Sequence, residues 1–465
     1  MQRLTARIVL ALAMIGTGLL IHSGIANALP NFASQTGQPC TACHVGSFGP
    51  QLTPFGRAFK VGGYTQEGGD GLAARIPLSA MVLGSFNNTG RGYPDGSAPP
   101  YFQNNNNFAL DQISLFLGGR ITDWAGGLVQ GTYSGISRSY HLDQVDIRPF
   151  TRAYDMNGTE LRVGVAVTNT PTVQDPFNST FAWGFPYVFS GLAPQPAALP
   201  LLAGGFAGNS AGLTAYAWYD HALYLEAGGY STMSRDALTR LGTFYGPGST
   251  QGIAPYLRAA YEWNWNGQSA HVGALFMSAA VNPVADGRIT DGTNGRDGYT
   301  DFGVDGGYQF FGDGTHTVSL YGIYIHENRA LNGSTNVFNL ANGTNFGVGS
   351  SINHVRTEVS YWYEHTYGLT LGWQGTWGPA APAIFTPNPV SGSANGKPDT
   401  NAFLVEADWV PFGKQDSWAA PFANMKLGIQ YIAYTKFNGG GTNYDGFGRN
   451  ASDNNTLFAF IWMIF

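Results

Sequence analysis

From about residue 74 to the last residue, apolar and polar positions alternate with period two in one short segment after another. Across residues 113–121 the odd positions are mostly aliphatic, and the even ones include Ser114, Gly118 and Arg120. Residues 425–431 put Lys426, Gly428 and Gln430 on the alternate face, and residues 355–361 put Arg356 and Glu358 there. Residues 257–263 and 403–409 repeat the division with Arg258, Glu262, Glu406 and Asp408. Successive side chains of a strand point to opposite faces, so this period predicts strands with one apolar and one polar face. Segments of roughly 10 residues with that division are the spans of a transmembrane β-barrel. A charge on the lipid face costs ~2–4 kcal/mol near the midplane. The charged positions are therefore expected inside, in a wet lumen.

The connections carry a second signal. Tight turns are predicted at Thr122-Asp123-Trp124, Asp155-Met156-Asn157-Gly158, Asp220-His221, Trp265-Asn266-Gly267, Gly312-Asp313-Gly314 and Glu364-His365. Between them lie longer Gly/Asn/Pro-rich stretches at 87–106, 169–209, 327–353 and 377–400. Outer-membrane barrels have short periplasmic turns and long extracellular loops. The alternation predicts an all-β, antiparallel outer-membrane β-barrel of about 16 strands. Its last strand, 457–465, ends on Phe465.

Composition agrees. Only 11% of residues are charged and 14% are aromatic, against about 25% charged in an ordinary soluble domain. No basic patch suggests nucleic acid. The first residues read as an export signal: Arg3 and Arg7, the apolar run 8–15, then Ala26-Asn27-Ala28 as a small-x-small cleavage pattern. Gly16 and Gly18 interrupt the run and argue against a membrane anchor. The expected organisation is a signal peptide cleaved after residue 28, a plug over 29–73 and a barrel over 74–465, in the outer membrane of a Gram-negative envelope.

The chain has two cysteines, Cys40 and Cys43, and His44 follows directly. Two thiols at this spacing with an adjacent imidazole read as covalent c-type haem attachment. Zinc needs further ligands, and none is nearby. A Cys40–Cys43 disulfide is possible chemistry in an oxidising periplasm, but it leaves His44 without a reason. Thr53 and Pro54 open a short helix as N-cap and first helical residue, and Gly62 or Gly63 can end it. One short helix cannot bury a haem alone, so the barrel must complete the pocket, with the plug in or against its periplasmic mouth. Arg57 and Lys60 either face the haem propionates or form a solvated basic face. The plug holds no methionine and no second histidine. Met81, Met156, His141 and His221 are available beyond it for the sixth iron position, and no pattern selects one; water there is an alternative.

The stretches 32–37 (Phe-Ala-Ser-Gln-Thr-Gly), 40–44, 52–60 (Leu-Thr-Pro-Phe-Gly-Arg-Ala-Phe-Lys), 110–123 and 169–176 together resemble the fused cytochrome–porin family of outer-membrane iron oxidases. The resemblance is strongest over roughly the first 190 residues. It implies one covalent c-type haem, with thioethers on Cys40 and Cys43 and His44 as axial ligand. It also implies electron transfer from an extracellular donor, dissolved Fe(II), to a periplasmic cytochrome or copper protein. The rival readings are a diffusion porin, or a sleeve barrel for a separate cytochrome, with a Cys40–Cys43 disulfide and no haem.

Overall fold

The structure is a computed structural model that describes residues 30–180, 188–243, 246–285, 288–414, 416–420 and 422–465. The expected export signal, with Arg3, Arg7, Ala26 and Ala28, lies outside the described residues. Among them, eighteen strands form one sheet. In chain order these begin β1 (Leu78–Thr89), β2 (Asn107–Thr122), β3 (Ala125–Ser134), β4 (Ser139–Asp155), β5 (Glu160–Thr168) and β6 (Ser210–Tyr219). β7 (Leu223–Thr232), β8 (Gly248–Thr250), β9 (Ala254–Trp265), β10 (Gln268–Ala285), β11 (Arg288–Ile289) and β12 (Asp297–Phe310) follow. The last are β13 (His316–Leu331), β14 (Gly349–Tyr363), β15 (Tyr367–Trp377), β16 (Thr400–Trp409), β17 (Asn424–Lys436) and β18 (Thr456–Ile464). β8 and β11 are short additions that pair with β10 at one rim. The other sixteen form a closed antiparallel barrel, sealed where β18 returns to β1 with Met81 opposite Ile464 and Thr89 opposite Thr456.

Alternation sets the two faces. On β2, Ile113, Leu115 and Leu117 face outward and are exposed, while Ser114 and Phe116 face inward and are buried. On β9, Arg258 and Glu262 are buried between the exposed Leu257, Tyr261 and Trp263. The outer belt is aliphatic, and Trp124, Tyr219, Trp265, Tyr363, Tyr367 and Trp409 stand exposed near the short-turn end. This is the aromatic girdle of an outer-membrane barrel. No described helix is long and apolar enough to cross a membrane; the crossing is made by strands.

All six predicted tight turns join strands at one end of the barrel, which is therefore the periplasmic end of an outer-membrane protein. The expected loop 327–353 is shorter than its composition suggested. β13 continues through Leu331 and β14 begins at Gly349, with a helix (Asn332–Asn342) between them. Glu327 and Arg329 are not loop charges but a buried lumen pair, at 2.5 Å. The 169–209 connection folds into the barrel. Leu201 N donates to Glu327 Oε2 at 2.7 Å and Leu202 N to Asp301 Oδ2 at 2.8 Å, and Leu202 and Phe206 pack with Tyr230, Tyr256 and Leu275.

The plug begins with α1 (Pro30–Thr36), a helix that the sequence reading missed although Gly37, at φ 68°, marks its end. α2 (Cys40–Cys43) carries the two cysteines. α3 (Pro54–Val61) is the expected helix, with the Thr53 side chain accepting from Gly56 N and Gly62 as C-cap. The plug touches the wall all the way round. Asn31 Nδ2 donates to Gly118 O on β2 (2.6 Å), Tyr216 OH on β6 to Val61 O (2.7 Å), and Gln51 Nε2 to Glu358 on β14 (2.7 Å). Asn424 Nδ2 on β17 donates to Ser47 O at 2.8 Å. The expectation of a wet lumen is corrected at this level. Arg258 is buried against Asp175 and Asp305, and Lys426 against Glu406 and Asp408. Buried charge persists only when paired, and here the inward loop and neighbouring strands provide the partners.

Candidate cofactor site in the plug

α2 is short because Pro39 precedes it and extended backbone at His44 ends it. Cys40 and Cys43 are three apart on this one turn, hence on one face. The next residues turn back on themselves. His44 pairs with Leu52 in an isolated bridge, Gly46 adopts φ 67°, and the Val45 amide donates to Gln51 O at 3.0 Å. Gly46 lies so close to Trp362 of β14 that a Cβ there would fall 2.1 Å from the indole ring. Gly56 similarly lets α3 rest on the backbone of α2, since a Cβ would stand 2.3 Å from Cys43 O.

Between plug and wall is a cavity of about 150 Å³. From the plug it is lined by Cys43, His44, Phe32, Phe48, Phe59 and Lys60, and from the wall by Met81, Phe116, Leu128, Asn424, Trp462 and Ile464. Rings fix the lining: Phe32 stacks on Tyr64 at 5.2 Å, and Phe48 meets Trp462 edge-on at 5.0 Å.

The three predicted site residues come together here. Cys43 and His44 line the cavity. Cys40 sits behind them against Ala33 and Phe55, its thiol interacting with Asn424, which itself lines the cavity. No disulfide joins the cysteines. Burial pushes both thiols up to about 12. Burial also lowers His44 to about 4, only partly offset by the Gly49 and Gln51 backbone, so the imidazole is neutral and its lone pair is available at pH 7. Its Nδ1 is buried with no hydrogen-bond partner, a cost that an additional ligand at this ring would help to justify. Two thiols on one helical face, a neutral imidazole and a mostly apolar lining suit the chemistry of a covalent haem.

Of the two basic residues, only Lys60 lines the cavity. Its Nζ donates to Asp175 O (2.8 Å) and Asn178 Oδ1 (2.7 Å), and burial lowers it to about 8. Arg57 is neither solvated nor turned to the cavity. It is buried in an ion pair with Glu262 at 2.6 Å, with a further bond to Gln309. Among the four residues available for the sixth iron position, Met81 alone lines the cavity. Met156 lies exposed in a turn, His221 is in a turn near Glu160, and His141 is at the opposite end of the barrel. Sequence reasoning had no signal for the wall residues Phe116, Leu128 and Trp462 beyond their being apolar on faces that otherwise read as polar.

No family model and no curated protein matches the chain. Solved structures similar to it include OprB of Pseudomonas putida at high pH, at 12% identity, covering 83% of this chain and 92% of that one, with a TM-score of 0.46. OmpF of Salmonella typhi in complex with daunomycin is similar at 12% identity, with 83% and 97% coverage and a TM-score of 0.45. An anion-selective porin from Comamonas acidovorans is similar at 13% identity, with 83% and 98% coverage and a TM-score of 0.43. The barrel architecture stated above rests on the closed strand order itself.

Proposed function

We propose that Cys40 and Cys43 attach one c-type haem, that His44 ligates its iron, and that the protein is an electron conduit of the outer membrane. One observation carries this reading. At the cavity holding Cys43 and His44, the lumen side of the barrel is apolar, through Met81, Phe116, Leu128, Trp462 and Ile464. The lumen face of a channel-forming barrel is ordinarily polar, so an apolar patch there suits an apolar occupant. Bound in it, the haem supplies a one-electron centre between an extracellular donor and a periplasmic cytochrome or copper protein. Cys40 and Cys43 would hold the haem through two thioether bonds. The His44 ring, neutral at pH 7, would ligate the iron. Phe32, Phe48 and Phe59 would keep water from the site, and Lys60 would place a cation at its edge. Dissolved Fe(II) is the donor that the family resemblance implies; it gives up one electron and leaves as Fe(III). The protein is then an oxidase only in passing electrons.

The second reading, a diffusion porin with a Cys40–Cys43 disulfide latch and no haem, is favoured by the porin-type sixteen-strand barrel. The ring of plug contacts and the buried lumen charges weigh against an open channel at this level. A denaturing gel stained for haem, run on protein from a host that matures c-type cytochromes, separates the two. A stained band at the protein's mass supports the conduit, and its absence supports the porin. His44→Ala should keep the barrel assembled, shown by heat-modifiable gel mobility, while the haem is lost or misligated. Mixing oxidised protein with Fe(II) tests the donor, and no reduced-haem absorbance at any pH removes iron from the reading.

A further inference from the structure

Iron held by His44 has a second axial position, and the barrel wall offers a donor for it. Met81 is 2% exposed and faces the cavity from β1. Its backbone is held on both sides, opposite Ile464 of β18 and Ser114 of β2. The inward positions of β1 run Ser79, Met81, Leu83, Ser85, Asn87 and Thr89. A flexible thioether thus stands in a row that is otherwise mostly polar, lining the same cavity as Cys43 and His44. The other cavity-lining donors have duties already. The Lys60 amine is held by Asp175 O and Asn178 Oδ1, Asn178 donates to Pro50 O and Asn424 to Ser47 O, and Tyr64 OH donates to Asp146.

We propose that Met81 is the second axial ligand, so that the plug supplies the imidazole and the barrel wall the sulfur; this rests on the haem reading above. The thioether is a soft ligand suited to haem iron, and Met/His ligation raises the reduction potential. A raised potential is what an acceptor of electrons from Fe(II) needs. The arrangement also means that the iron site is complete only when barrel and plug are assembled.

The test uses full-length haem-loaded protein in detergent. The ferric wild type should show the far-red sulfur-to-iron charge-transfer absorbance of Met ligation. Met81→Leu, close in volume, should lose that band, bind carbon monoxide when reduced, and shift to lower potential. Met81→His should be low-spin without the band, and with the wild-type spectrum it decides the matter should Met81→Leu not assemble. A band absent from haem-bearing wild type, or retained in Met81→Leu, overturns the Met81 assignment and leaves the haem reading standing. A wild type without covalent haem overturns both.

Discussion

Cys40 and Cys43 differ from reactive cysteines in one physical respect: burial holds their thiols protonated, at about 12. At pH 8 this cuts the thiolate fraction by roughly 10³ relative to a free cysteine. Haem-free folded protein should therefore alkylate slowly at both positions, and unfolding in denaturant should restore ordinary rates; mass spectrometry of iodoacetamide-treated samples reads the difference. Lys60 gives a pH dependence. Its amine falls from 10.5 to about 8 on folding, so between those values the unfolded chain binds more protons, and stability rises with pH. Across that window the plug should gain at most about 3 kcal/mol. Hydrogen exchange of residues 30–64 should slow from pH 8 to 10.5 after correction for intrinsic rates, and Lys60→Met should abolish the trend.

At the scale of elements, the Cys40–His44 segment is held by close backbone approaches. α3 lies against α2 because Gly56 has no Cβ, and the neighbour a Cβ would strike is the Cys43 carbonyl, which cannot swing aside as a side chain would. Gly56→Ala should displace α3 at a cost of about 1–3 kcal/mol, lowering the plug's protease resistance while leaving barrel mobility on a gel unchanged. α3 itself was legible: Thr53, Pro54 and Gly62 are start and stop signals with known mechanisms. α1 was missed because its seven residues are buried throughout, which removes the polar face that periodicity needs. The 327–353 stretch was over-assigned to loop for the opposite reason. Glu327 and Arg329 resemble surface charges in sequence, and only their pairing inside the barrel makes them strand residues.

Over the whole molecule, the plug is tied to the wall by charge as well as shape. Arg57 joins α3 to Glu262 on β9, both side chains being 3% exposed or less. Removing the guanidinium leaves a buried carboxylate whose remaining partner is the Ser269 hydroxyl, a loss of about 3–5 kcal/mol for a pair of this kind. Arg57→Ala should loosen the plug, with faster proteolysis between residues 62 and 77 and larger single-channel conductance in planar bilayers. The double variant Arg57→Met with Glu262→Gln should recover much of the loss, because it removes both charges rather than one.

The sequence by itself determined the barrel, because period-two alternation and the short–long rhythm of connections are local signals of strands half in lipid. It also singled out residues 40–44 as the candidate site, because two thiols three apart with an adjacent imidazole form a local pattern of spacing and residue type. The tertiary structure alone decided what surrounds the motif. Phe116 and Met81 are separated from Trp462 by most of the chain, and only closure of β18 onto β1 puts them on one cavity. Closure likewise sent Arg57 to Glu262 and left Lys60 at the cavity. Partners of that kind are chosen by three-dimensional proximity, which alternation along a strand does not encode.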